Sequence, residues 1–380
     1  MKFNRLAVVV FALMSAAGPA AASISETAIA AFESAHDGAD DAAALDAARK
    51  LGDEAVANPE DARAGRLAFD AATALCQLGK CTDARAYAAF AASAGTGDDL
   101  PPLAQRTLLS ALATWIADPA HENFLAFGSA VDAIQSSPPT PVSILAYERF
   151  YASLGNKDDL HGRFVIATLA ANHIRPLRDE YPMDWATMEL RSIAHQHNET
   201  QDPTAAGRIA DLQIWLLEKR RASAGGRKTF KDIYYQTAAW NLAMSTYHRS
   251  GKYNGNKELD RARYRLEQAM ETIPDMSGEP GDAPPMPSCT GTFVKPPKLR
   301  YPTGARIKGY VGAVILEFDL VDGEVENINV LASVPSDVFD EYTISAMTRA
   351  KWKFDKDQET LPCDRAGPIH GTQSFEFLMQ

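Results

Sequence analysis

From Gly312 to Leu331 the apolar residues alternate. Val314, Leu316, Phe318 and Leu320 take every second place, the period-2 pattern of a strand with one buried face. Asp322-Gly323 follows, and its glycine supplies the positive φ of a tight hairpin, so Val325 to Leu331 reads as the returning strand. Past Pro335 the period changes to that of a helix, with Phe339, Tyr342, Ala346, Met347 and Ala350 on one stripe. Ser336 is placed as its N-cap, with Asp337 and Asp340 in a first turn where the helix dipole favours negative charge. After Trp352-Lys-Phe354, the stretch Gln373 to Gln380 returns to alternation. Phe375, Phe377 and Met379 share one face, and Ser374, Glu376 and Leu378 share the other. The order is strand, strand, helix, strand, and no cluster in it has a catalytic composition.

From Ile24 to about Met276 the pattern is helical throughout, rich in alanine and poor in β-branched runs. Breaks fall at Asn58-Pro59, Gly95-Thr-Gly97, Pro138-Pro139, Gly155-Asn156 and Gly225-Gly226, which predicts stacked helical hairpins rather than one long coiled coil. Ala72, Leu75, Gly79, Ala84, Ala88 and Ala91 are spaced like a tetratricopeptide repeat, a helix-turn-helix unit of about 34 residues. Small residues let two helices approach closely, and glycine permits the turn between them. Met244, Tyr247 and Gly251, then Ala262, Leu266, Ala269 and Pro274, resemble a second copy with an insertion at 252–257. An alanine-rich bundle that mimics the repeat is the alternative.

The two parts are separated by Gly278 to Lys298, where Pro280, Pro284, Pro285, Pro287, Pro296 and Pro297 predict a semi-extended linker. At about 3.1 Å per residue it reaches at most about 60 Å. At the other end, Met1 to Ala22 reads as a secretory signal: Lys2 and Arg5, the apolar run Leu6 to Met14, and Ala20-Ala21-Ala22 before Ser23. The expected domains are therefore a signal peptide (1–22), an α-helical repeat domain (23–276), a Pro-rich linker (277–298) and a small sheet domain (299–380). The fold class is α+β overall, all-α helical repeats followed by an antiparallel sheet with one packed helix. No later stretch is apolar enough to span a bilayer, so the mature chain is expected to have no membrane span.

The ordered set Tyr301-Pro302, Ala305, Gly309, Gly312, Phe318-Asp319, Asp322-Gly323, Val325 and Trp352-x-Phe354 resembles the C-terminal domain of the TonB family over roughly residues 295–380. The resemblance implies a periplasmic binding module that grips a segment of an outer-membrane transporter by adding a strand to its sheet edge. The strand at the chain's end, Ser374, Phe375, Glu376, Phe377 and Leu378, is the edge so implied. A full TonB transducer resembles an anchored helix, a long Pro-rich spacer and then this domain, and here the N-terminal segment reads as cleavable. The first reading is thus a periplasmic adaptor whose helical repeats hold a second protein. The alternatives are an energy transducer kept in the inner membrane by an uncleaved N-terminal segment, and a helical scaffold with no role in transport.

Charge and cysteines narrow the classes further. A formal net charge of −11 argues against nucleic acid as a partner, whose phosphates call for a basic surface. Four cysteines in an exported chain are consistent with two disulfides. Cys76 and Cys81 flank Gln-Leu-Gly-Lys, placed to staple a turn between helices, while Cys289 and Cys363 flank the terminal domain. Bridging the latter pair closes a long loop and stabilises by about 4 kcal/mol in the chain-entropy model.

The remaining candidates carry less. His195-Gln-His197-Asn-Glu199 suggests a metal site, but at i,i+2 on a helix the imidazoles point to different faces, so a solvated helix end is expected. Asp37-Gly-Ala-Asp-Asp41 reads as a solvated loop or helix start, and Trp215, Tyr234, Tyr235 and Trp240 as core. Asn198-Glu-Thr200 has the spacing of a glycan acceptor. There is no Gly-x-Ser-x-Gly elbow, Walker loop or dinucleotide fingerprint, so no catalytic residue, cofactor or metal is expected and the partners are proteins.

Overall fold

The computed structural model describes residues 23–378 apart from 39, 96, 98, 155–159, 223–224, 251–256, 273–290, 309 and 355–368. The segment 1–22, read as a secretory signal, and Met379 and Gln380 lie outside the described residues. The chain forms two compact units, Met1–Met188 and Glu189–Gln380.

The first unit is helical: α1 (Glu26–Asp37), α2 (Asp41–Ala57), α3 (Ala64–Gln77), α4 (Arg85–Ser93), α5 (Leu103–Ala117), α6 (His121–Ala133), α7 (Pro141–Ser153), α8 (Leu160–His173) and the first residues of α9 (Pro182–Thr200). The starts are set locally. The Ser25 side chain accepts the Ala28 N–H before α1, and Asp40 of the acidic run accepts the Ala42 and Ala43 N–H groups before α2. From α1 to α8 each helix packs on the next, and α3 also touches α5 and α5 touches α7. This is compatible with stacked helical hairpins.

In the α3–α4 hairpin Ala72, Leu75, Ala84, Ala88 and Ala91 are all 0% exposed, which is what lets the two backbones close up. Gly79 turns the chain between them at φ 77°, where a side chain would be strained. Gly52 of α2 lies so close to Tyr87 that a Cβ there would sit 2.6 Å from the ring. The connection to α5 is tied by the buried Arg106 guanidinium, which donates to the Ala91 and Ala94 carbonyls at 2.7 and 2.6 Å and also to Pro101.

The second unit holds the rest of α9, then α10 (Thr204–Ala222), α11 (Gly226–Thr229), α12 (Lys231–Ser250) and α13 (Lys257–Thr272). The sheet follows: β1 (Gly291–Lys295), α14 (Thr303–Lys308), β2 (Gly312–Val321), β3 (Glu324–Val334), α15 (Asp340–Met347), β4 (Lys351–Phe354) and β5 (Ile369–Phe377). The strands are antiparallel in the order β1-β4-β3-β2-β5. The β2–β3 turn is the expected one, with Asp322 and Gly323 at φ 51° and 81°.

One face of this sheet is buried by α15 and α14. Val314, Leu316, Phe318, Val325, Phe375 and Phe377 meet Phe339, Met347 and Ala305 there. Phe339 stacks on Phe377 at 4.2 Å, and Tyr301 meets both rings edge-on at 5.7 and 6.3 Å. Gly312 has no room for a side chain, since a Cβ would lie 2.1 Å from the Val334 carbonyl oxygen and 2.4 Å from Phe339. The residues that carry the family resemblance are therefore largely core residues.

Several expectations are corrected. The helix begins at Asp340 behind Phe339, which makes no side-chain cap, and Ser336 falls in the preceding turn. There the Ser333 hydroxyl, not Ser336, accepts a backbone N–H, that of Asp337. Trp352 is on a strand, because β4 is held by pairing with β1 and by Trp352 N–H donating to the Gly323 carbonyl at 2.8 Å. The last strand starts at Ile369, four places before its alternation becomes visible at Gln373. Gly291–Lys295, inside the stretch expected as a linker, is an edge strand whose Phe293 meets Trp352 at 4.8 Å. Finally, α12 and α13 do not make a repeat hairpin with each other as their main contact. Both pack on α10, and α12 lies against β2 and β3.

Candidate functional site

The candidate site is the outer edge of β5. β5 ends the sheet, paired with β2 from Gly312↔Phe377 to Leu320↔Ile369, and among the described residues no strand lies beyond it. Phe375 and Phe377 are 8% and 2% exposed and point to the α15 side. Ser374 and Glu376 pair with Ile315 and Ala313 and so belong to the opposite side, and Leu378 follows at 39% exposure. The five residues are thus brought together on one terminal strand, with a buried aromatic pair locking its register.

The opposite face is not open. α12 lies across it, with Ala238, Ala239 and Ala243 against Ala313, Ile315, Ala332 and Val334. Small residues on both sides bring helix and sheet close together. Two polar contacts mark the ends of the crossing. Near the start of α12, Lys231 Nζ meets Glu317 at 2.9 Å, and Asn329 donates to the same carboxylate. Those two hydrogen bonds, Asn329 first and then Lys231, hold the Glu317 carboxyl below its ordinary value. Near its end, the Thr246 hydroxyl donates to Glu376 at 2.6 Å, so α12 touches the edge strand itself.

The sequence reasoning missed this helix as part of the site. A signal was present in β2, where Ala313-Val-Ile-Leu316 is apolar without interruption rather than alternating. Such a run marks a strand covered on both faces.

The other candidates fall as follows. Cys76 and Cys81 are disulfide-bonded at the α3–α4 turn, whereas Cys289 and Cys363 lie outside the described residues. His195 is 9% exposed and the half-buried His197 is packed among Trp240, Tyr247 and His248, whereas Asn198 and Glu199 are exposed, so the helix end expected to be solvated is so only at its tip. The interior position of α12, between α10 and the sheet, buries the rest. Burial, and secondarily the neighbouring His248, push the His197 imidazole down to about 4. Among the described residues no group of three His, Cys, Asp or Glu side chains is placed to hold a metal ion. Of the four aromatics read as core, Tyr234 is buried, with the Arg220 guanidinium 4.2 Å from its ring centre, while Trp215, Tyr235 and Trp240 are half-buried. Asn198 is exposed at the end of α9.

The terminal part is thus a small antiparallel sheet with helices on its faces and β5 at its edge. Residues 297–370 match the family model of the Gram-negative bacterial TonB protein C-terminal. The match takes in α14, β2, β3, α15, β4 and the first residues of β5, and it leaves all the helices of α1–α13 outside it. No curated protein matches the chain. No helix among the described residues is long and apolar enough to cross a membrane.

Proposed function

We propose that the protein is a non-enzymatic adaptor of the bacterial envelope, exported to the periplasm, whose terminal sheet takes up an extended segment of a transport protein along β5. The helices of the first unit serve as the second binding surface. The observation that carries this reading is the place of β5 at the end of the sheet, beside β2 of the segment 297–370 that is similar to the TonB C-terminal domain. Main-chain pairing gives affinity with little demand on side chains. That suits an edge whose residues facing away from the aromatic core are small or polar, as Thr372 and Ser374 are.

Successive residues of a strand aim their N–H groups at opposite edges. Of Thr372→Pro and Gln373→Pro, one removes a donor facing β2 and the other a donor on the outer edge. A photo-crosslinking residue at position 374 in the intact envelope should yield an adduct that maps to an extended segment of a transport protein. That adduct should be lost in whichever proline variant keeps the parent's melting temperature. An undiminished adduct in both variants refutes docking along this edge.

A further inference from the structure

The imidazoles of His197, half-buried, and His248, buried, have no part in the reading above. They come from two helices, α9 and α12, and their ring centres are 5.5 Å apart, edge to face. Tyr247 closes against both at 5.4 Å, and Trp240 stands 6.5 Å from His197. His248 is 0% exposed. One half-turn before it on α12, on the side turned to the sheet, Thr246 holds Glu376 of the edge strand. α12 is therefore fastened on one side by a histidine-aromatic cluster and on the other by contact with β2, β3 and β5.

We propose that the His197–His248 pair is an acid-sensitive latch: protonation of the two imidazoles releases the C-terminal half of α12 from α9 and so loosens the hold of Thr246 on Glu376 of the docking strand. Two imidazolium rings at this separation repel, and neither charge is well accommodated in a buried aromatic setting. From the α9–α10 connection, Asp202 favours the charged form of His248 but does not overcome its burial, which holds that imidazole below its ordinary value. From α10, Arg208 is already bonded to Glu189, Ser192 and Gln196. α12 adds Tyr247, which meets both rings, and its Thr246 is bonded to Glu376 of β5. The side chain of Arg249 lies outside the described residues.

The size of the effect follows from linkage. An imidazole that titrates at its ordinary 6.5 when α12 is open and at about 4 when closed favours opening about 30-fold at pH 5 relative to pH 7.5. The device regulates the edge proposed for docking and rests on that reading only for its consequence.

The test uses the whole mature chain without any partner. Hydrogen exchange of the α12 and β5 amides, corrected for the intrinsic pH dependence, should show opening favoured at least about 10-fold at pH 5 over pH 7.5. His197→Gln and His248→Gln should each remove a large part of that change. Thr246→Val should loosen β5 at both pH values and leave the pH dependence of α12 intact. The parent chain also decides the matter alone, through the histidine ring resonances in NMR. Two imidazoles that titrate near their ordinary value while α12 stays protected overturn the latch, as does α12 exchange with no pH dependence. If the exchange result holds but crosslinking from position 374 does not change with pH, the latch stands without controlling docking, and the proline variants alone decide the docking reading.

Discussion

Two pairs of helices look alike in sequence and differ in the folded chain. α3 and α4 carry small residues at helical spacing, a glycine between them, and pack on each other. α12 and α13 carry the same kind of pattern, with Ala262, Leu266 and Ala269 buried on α13 and Ala238, Ala239 and Ala243 buried on α12. Yet α13 turns to α10, and the alanine stripe of α12 faces the sheet. A stripe of small residues encodes close approach; it does not encode to what. In the first pair the short turn and its disulfide leave little choice of partner. In the second, an apolar sheet face competes for the helix, and Ala313 and Ala332 on that face match its shape.

The largest expected effect tests whether α12 belongs with the sheet. A protease site inserted among the prolines of 277–287 separates the helices from the sheet in the covalent chain. After cleavage the two pieces should co-elute in gel filtration, because α12 remains packed on β2 and β3. Separation into free fragments would assign α12 to an independent helical domain instead.

Overpacking comes next. Ala88→Leu in α4 and Ala239→Leu in α12 each force four-carbon bulk into a site that is 0% exposed, at a cost of about 1–3 kcal/mol. The two should differ in where the damage spreads. Ala88→Leu should raise hydrogen exchange in α3 and α4 only, and Ala239→Leu should raise it in β2 and β3. If Ala239→Leu disturbs α13 and spares the sheet, the comparison of the two pairs is wrong.

Legibility in the sequence follows the same division. The β2–β3 hairpin was visible because its alternation and its Asp322-Gly323 turn are local, and the burial of Phe375 and Phe377 followed from their spacing alone. β1 and β4 were hidden because five and four residues are too few to show a period, and pairing with each other makes them strands. The edge position of β5 was implied by the family resemblance rather than by its residues. α12 as the cover of the sheet was not legible from its own alanines, which fit any close neighbour. His197 was misjudged because the polarity of His195-Gln-His197-Asn-Glu199 says nothing about Trp240, Tyr247 and His248 arriving from a helix some fifty residues on.

The disulfide should contribute a moderate, local term. Cys76 and Cys81 close a loop with sequence separation 5, for which the chain-entropy model gives about 2 kcal/mol. Reduction, or the Cys76→Ser/Cys81→Ser double variant, should lower the melting temperature of the first unit and leave the exchange of β2 and β5 unchanged. A pair of helices that already packs well through Leu75, Ala84 and Ala88 should survive the loss. Collapse of the α3–α4 protection on reduction would mean that the staple, and not the small-residue face, selects the partner.

The smallest expected effect concerns the ion pair at the other end of the crossing. Lys231 and Glu317 meet at 2.9 Å, but their side chains are 40% and 37% exposed, so water and salt screen them. A double-mutant cycle with Lys231→Ala and Glu317→Ala should give a coupling of about 0.2–1 kcal/mol, falling as salt is raised. Asn329 also donates to Glu317, so Glu317→Ala alone should cost more than Lys231→Ala alone. If the apolar contact of Ala238, Ala239 and Ala243 places α12, both variants should keep the helix on the sheet, with β2 exchange near that of the parent. A coupling above about 2 kcal/mol, insensitive to salt, would show the charge pair rather than the small-residue face directing α12 to the sheet and away from α13.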